Sequence, residues 1–217
     1  MSKRQLQTAT QSAGLATRIR ADIIGGTIPF GTRLTLGQLE TLYDAGQMPV
    51  REALRQLQGE GLIELNPNKG ARVRQVDHTF VRNLFDVRIA IEAILTRRAA
   101  EQIGPEQMAR VEEAARDYEA ADEGNWVVAL EANRRFHSQI YEVANNNEAV
   151  EILHRNDQLV SALWHRHGGP PQKATSAPDH SQIVAALRYG DADSASCFAM
   201  AHAARAKFEL LSRMQAT

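Results

Sequence analysis

Two arginines one helical turn apart, Arg51 and Arg55, mark the first chemistry legible in the chain. A four-residue spacing places side chains on one face of a helix. Around them Val50, Ala53, Leu54 and Leu57 follow the i, i+3, i+4, i+7 rhythm of an apolar face. Arg51, Glu52, Arg55, Gln56 and Gln58 fill the opposite face. A guanidinium can pair bidentately with a guanine edge or neutralise a phosphate, so the chemistry is recognition of nucleic acid. A second group is set apart in the sequence. All seven histidines lie beyond residue 77. Imidazole can hold a metal, bond a ligand or carry a proton. Asn133 and His137 repeat the four-residue spacing and so share a helix face.

The elements that position these residues follow from periodicity. Residues 1–12 are polar and aperiodic, which predicts a flexible tail. From Ala13, Leu15, Ile19 and Ile23 recur every four residues until Gly25-Gly26 stops the helix. Thr35 is placed to cap a short helix whose apolar stripe is Leu36, Leu39 and Leu42. Pro49 suits the first turn of the arginine-bearing helix, where its missing N–H costs nothing. Leu62–Leu65 and Ala71–Arg74 read as strands joined by the turn residues Asn66-Pro67-Asn68-Lys69-Gly70. Three helices and a hairpin in this order describe a winged helix-turn-helix. Its third helix offers Arg51 and Arg55 to a major groove, and Lys69 and Gly70 approach the adjacent minor groove. From Val76 only helices are predicted: about 78–102, 105–121, 126–144, 148–165, 179–189 and 193–214, with a loop from Gly168-Gly169-Pro170-Pro171 to Pro178. Short connections between amphipathic helices predict an antiparallel bundle.

The fold class is therefore mainly α, with an N-terminal winged helix-turn-helix over 13–76 and an all-helical antiparallel bundle over 77–217. Composition agrees. The chain has 217 residues, 43 % hydrophobic and 24 % charged, which excludes wholesale disorder. No apolar run approaches the roughly 18–20 residues that span a bilayer, and Met1–Thr10 has no apolar core of a secretory signal. A lone cysteine, Cys197, excludes an internal disulfide and a Cys-based zinc finger. A cytoplasmic location and no membrane partner are expected. The net charge of −1 hides a partition. Residues 1–76 hold 10 Lys+Arg against 6 Asp+Glu, a net +4, while residues 77–217 hold 15 against 20, a net −5. A basic front and an acidic, histidine-bearing back predict two modules with different partners.

The run Pro49-Val50-Arg51-Glu52-Ala53-Leu54-Arg55-Gln56-Leu57, with Glu60-Gly61-Leu62-Ile63 and Asn66-Pro67-Asn68-Lys69-Gly70-Ala71 after it, closely resembles the GntR family of bacterial transcription regulators. The helical second part resembles the FCD effector domain of its FadR branch, in the six-helix, VanR-like form. The resemblance spans about residues 13–212. It implies a ligand-responsive regulator that binds an inverted repeat of double-stranded DNA as a homodimer, with a small organic acid as effector. The candidate DNA-facing residues are Arg33, Gln47, Met48, Arg51, Arg55, Lys69 and Gly70. Gly46-Gln47-Met48 stand where the family commonly has Ser-Arg-Thr, and Asp44 replaces a usual glycine. Gln47 has no charge and can pair with an adenine, so the operator is expected to differ. Gly46 removes a capping hydroxyl.

The FCD resemblance further implies a metal site formed by Asp or Asn, a histidine four residues later, and two histidines on the last two helices. Asn133, His137, His180 and His202 fill those positions. Imidazoles suit Zn²⁺, Ni²⁺, Co²⁺ or Mn²⁺. Asn133 brings a neutral amide where an Asp brings a charge, which lowers metal affinity and favours an anionic effector. His137, His180 and His202 are then also the effector-binding candidates, with Arg88 as a carboxylate clamp; an internal Arg88–Glu92 pair is the alternative for that residue. His78, His154, His165 and His167 fit no such pattern. Two other functions remain open. The histidines can bond an effector without metal, or serve a hydrolytic metalloenzyme. No carboxylate stands where a general base is needed, so no catalytic residue is assigned.

Overall fold

The computed structural model describes residues 3–66, 70–122 and 124–215. Helix α1 (Lys3–Ile24) buries Leu15, Ile19 and Ile23, the four-residue rhythm of the sequence. The tail expected over residues 1–12 is corrected from Lys3 onward, where the backbone is helical. Lys, Arg, Gln and Leu are strong helix formers, and propensity outweighs the lack of an apolar rhythm. Met1 lies outside the described residues. A two-residue strand, β1 (Arg33–Leu34), follows, which the sequence did not announce.

Helix α2 (Leu36–Tyr43) is capped as expected. The Thr35 hydroxyl accepts from Gln38 N–H at 3.3 Å, and the Gln38 side chain accepts from Thr35 N–H at 3.0 Å. The expected stripe is corrected at one position. Leu39 and Tyr43 are buried, while Leu42 is 63 % exposed. In so short a helix a single i, i+4 pair covers the core side. Asp44 ends it with φ 48°, a left-handed conformation that a short polar side chain tolerates. Helix α3 (Gln47–Gly59) buries Val50, Ala53, Leu54 and Leu57 as its rhythm predicts, and its N-cap Gly46 makes no side-chain bond.

Strands β2 (Ile63–Asn66) and β3 (Gly70–Val73) form the wing, each displaced one residue from the expected span. The sheet is antiparallel in the order β1-β3-β2, with Leu34 and Leu65 both opposite Ala71. Gly70 has φ +82°, and a Cβ there would sit 3.1 Å from the Leu34 carbonyl oxygen. The sheet itself therefore demands this glycine, whatever it does toward DNA.

The remaining helices are α4 (His78–Gln102), α5 (Pro105–Ala120), α6 (Trp126–Ala144), α7 (Asn147–His154), α8 (Asp157–Arg166), α9 (Lys173–Tyr189) and α10 (Ala192–Gln215). Two expectations are corrected. The helix predicted over 148–165 is broken at Arg155-Asn156 into α7 and α8. The loop predicted to run to Pro178 ends at Gln172, because α9 continues through Pro178. Packing of α9 on α5 and α10 holds the turn despite the missing N–H.

The chain divides into two compact units, residues 1–77 with 154–166, and residues 78–153 with 167–217. A single boundary at 76/77 is thus too simple. α8 belongs to the first unit, where it packs on α1 and buries Leu159, Ala162, Leu163 and Trp164. Gly61, with φ +74°, leaves room for Asn156: a Cβ would lie 3.0 Å from its Oδ1. The Arg166 guanidinium stacks 5.7 Å from the Phe30 ring centre. In the second unit the core is built from Leu95, Phe136, Ile140, Leu153, Ile183 and their neighbours. α10 lies along α4 and α9, α5 along α6 and α9, and α4 along α6. The histidine-bearing helices α6, α9 and α10 are thereby held within one framework.

Candidate functional site

Three helices of the second unit each deliver one histidine. His137 comes from α6, His180 from α9 and His202 from α10. Their ring centres are 5.2 Å (137–180), 5.1 Å (137–202) and 4.7 Å (180–202) apart. One nitrogen from each ring lies within 4.8 Å of the others. Among the described residues no other group of His, Cys, Asp and Glu is gathered in this way. Asn133 stands one turn before His137 on α6 and is half-buried. His78, His154, His165 and His167 do not join the cluster, and His165 lies on α8 in the first unit.

The rings are fixed by apolar and aromatic contact. Phe136 stacks on His180 at 4.2 Å, and Tyr118 tilts against it at 4.7 Å. Tyr118 and Ser176 share a buried hydroxyl pair. His180 is 1 % exposed, and neither of its ring nitrogens has a hydrogen-bond partner. A buried imidazole without partners calls for a missing ligand, since such groups are nearly always satisfied. Burial pushes His137 well below its ordinary value, and His202, His180 and Arg88 push the same way. Burial and the His202 charge likewise depress His180, with Asp179 opposing. Both rings are therefore neutral near pH 7, with lone pairs available. That donor set, including the orphaned nitrogens of His180, fits a borderline divalent cation.

Sequence reasoning missed Asp179. Its Oδ2 lies 3.3 Å from His202 Nδ1 and accepts from Arg205 Nε at 2.7 Å, and its Oδ1 accepts from the same guanidinium. Burial alone pushes the Asp179 carboxyl up, but hydrogen bonds from His202 and Arg205 hold it below the ordinary carboxylate range. The signal in the sequence was only its adjacency to His180. Arg88 meets Glu92 with Nε 3.2 Å from Oε1, the internal pair expected as one of two alternatives. Arg134 and Arg135 pair with Glu131 and Asp117 on exposed surface, as solvated charges do.

The first unit carries different chemistry. Arg51 and Arg55 are exposed on α3, opposite its buried face. Arg55 lies 3.6 Å from Glu52, a weak exposed pair that does not hold it in place. Gln47 and Met48 are exposed in the first turn of α3, Met48 at 63 %. Arg33 is exposed on β1 opposite Arg72, and Gly70 is exposed on β3. Lys69 lies outside the described residues. A second residue that the sequence did not single out is Arg20. Its Nε and Nη2 bond Glu60 at 2.8 and 2.6 Å, tying α1 to the end of α3 across 40 residues. Glu60 raises the Arg20 guanidinium further above its ordinary value through that bond.

Comparison with known proteins gives two family matches. A model described as the FCD domain matches residues 83–205, and one described as bacterial regulatory proteins, gntR family, matches residues 11–73. The chain is 28 % identical over 179 residues to the HTH-type transcriptional repressor RspR of Escherichia coli K12, covering 81 % of this chain and 78 % of that protein. It is 26 % identical over 194 residues to the "Probable D-xylose utilization operon transcriptional repressor" of Paenarthrobacter nicotinovorans, covering 88 % and 84 %. Among solved structures, E. coli McbR/YncC superposes with a TM-score of 0.72 at 19 % identity, over 94 % of this chain and 98 % of that one. A GntR regulator from Rhodococcus sp. RHA1 gives 0.67 at 22 % identity, with the same coverage.

Proposed function

The chain belongs to the GntR family of bacterial transcription regulators and carries the FCD domain, and from this we propose that it binds a palindromic operator as a homodimer whose DNA affinity is set by a small carboxylate effector. The observation that carries the effector reading is the partnerless, buried His180 within reach of His137 and His202. His137, His180, His202 and the amide of Asn133 are the residues that would hold a divalent cation. Such an ion would supply a Lewis-acid docking point for a carboxylate oxygen. Arg88 on α4 is held by Glu92 and would serve as the second carboxylate partner by exchanging Glu92 for the effector. Phe136 and Tyr118 fix the His180 ring and exclude water from it.

On the DNA side, Arg51, Arg55 and Gln47 are the proposed base-reading set. Arg33, Met48, Lys69 and Gly70 position the module on the backbone and groove walls. The homodimer is supported by exposed apolar side chains on two adjoining helices, Val87 and Ile94 of α4 with Met200 and Phe208 of α10. No described helix is long and apolar enough to cross a membrane. The effector acts by changing the placement of two winged modules against two half-sites, and operator and effector affinities are then linked reciprocally.

The test is direct. Once a cognate duplex is selected, Arg51→Ala weakens its binding by about 1–3 kcal/mol at fixed salt, read by fluorescence anisotropy. Unchanged affinity overturns this docking. Elemental analysis of protein purified without a histidine tag, after dialysis against candidate ions, tests the site. A metal-free result leaves direct bonding of the effector by the histidines, a reading that the neutral Asn133 favours.

A further inference from the structure

Three imidazoles and one carboxamide are all neutral donors. A divalent cation among them keeps its whole charge inside a buried cluster, which is costly without a nearby anion. We propose that Asp179, locked by Arg205, supplies that anion from behind His202 and fixes the ring's orientation. This proposal rests on the metal reading of the histidine cluster. Asp179 is thus a positioning residue rather than a ligand.

Local geometry sets its place. Asp179 and His180 are neighbours on α9, so their side chains leave the helix about 100° apart. His180 enters the cluster, while Asp179 reaches across to α10 and meets His202 at Nδ1, 3.3 Å away. With Nδ1 donating to the carboxylate, Nε2 carries the lone pair and is the nitrogen left for a cation. Outer partners of this kind hold the tautomer and raise the donor strength of a ligating imidazole.

Arg205 completes the arrangement. It lies three residues after His202 on α10, on the same face, and grips both oxygens of Asp179. A two-pronged grip fixes the carboxylate in plane and position. His202 then cannot swing without breaking its bond to a carboxylate that cannot follow. The Asp179 side chain is 8 % exposed and that of Arg205 is 51 % exposed, so the charge pair runs from the buried ring to solvent. The negative charge missing at residue 133 is thereby restored one bond further out. It is shared with Arg205, so its pull on the cation is weaker than that of a directly bound carboxylate.

The probe is Co²⁺ binding to the full-length, untagged protein, by chelator competition and by visible d–d absorption. Asp179→Asn keeps the side chain's size and an acceptor oxygen. It is expected to weaken Co²⁺ by about 10–100-fold. The metal-free melting temperature should fall, since the charged grip of Arg205 is weakened, but the d–d band shape should be kept because the inner donors are the same. Asp179→Glu should recover part of the affinity. Should Asp179→Asn fail to fold, Asp179→Ser, shorter and equally neutral, carries the test with a loss in the same direction. Parent-like Co²⁺ affinity in a folded Asp179→Asn or Asp179→Ser protein overturns the proposal. So does a changed band shape in Asp179→Asn, which would make Asp179 a direct ligand. A parent that binds no Co²⁺ overturns the metal reading and this proposal with it.

Discussion

The two units solve opposite problems. In the first, the chemistry lies outside: Arg51, Arg55, Gln47 and Arg33 are exposed on elements within a few dozen residues of one another. In the second, it lies inside: three histidines separated by 43 and 22 residues meet between helices, two of them buried and His137 partly so. A surface that reads DNA needs charge and reach, and the chain supplies a local excess of +4. A buried site cannot hold unpaired charge, and burial pushes the His137 and His180 rings toward the neutral form. The difference shows how a chain with a net charge of −1 accommodates two kinds of recognition.

The sharpest way to break this contrast is at His180. His180→Ala is expected to abolish measurable divalent-metal binding by titration calorimetry while leaving effector-free operator affinity intact. Loss of DNA binding instead would mean that the inner site also builds the outer one. Next in size is Leu163→Ala, a fully buried position on α8. It should cost about 2–5 kcal/mol of stability. Hydrogen exchange should then show lost protection in α1 and α8 first; loss confined to α9 and α10 would remove α8 from the first unit. Gln47→Arg should shift operator preference from adenine toward guanine at one position in each half-site, by about 1–3 kcal/mol, read by competition between duplexes. The smallest effect is expected from Gly46→Ser, which restores a capping hydroxyl where the backbone is already extended. A gain of only a few tenths of a kcal/mol in urea-unfolding free energy is expected.

Legibility also divides along this line. The Val50–Leu57 face, the Thr35 cap and the span of α4 were readable because each depends on neighbours within a turn or two. The meeting of the three histidines was expected from the family pattern, not from spacing, since 65 residues separate the first from the last. What escaped detection depends on contacts between distant segments. Periodicity reveals that α8 has an apolar face but not what covers it. Arg20 looks like any solvated arginine until Glu60 is placed beside it. Asp179 looks like an ordinary acidic residue early in a helix. Leu42 and Tyr43 compete for one buried position, and only the packed structure selects the tyrosine. The short β1 exists because β3 offers it an edge.

The allegiance of α8 has a consequence for building hybrids. Cutting after residue 77 and grafting the front onto another sensor discards residues 154–166, and with them the cover that α8 provides on α1. Such a graft begins with an uncapped apolar seam and a tendency to aggregate. A working chimera must bring a matching α8 inside the foreign sensor, or repaint the uncovered side of α1 with polar residues. The portable DNA-reading cassette in this chain is therefore two separate stretches of sequence, and recombination between relatives must exchange both or neither.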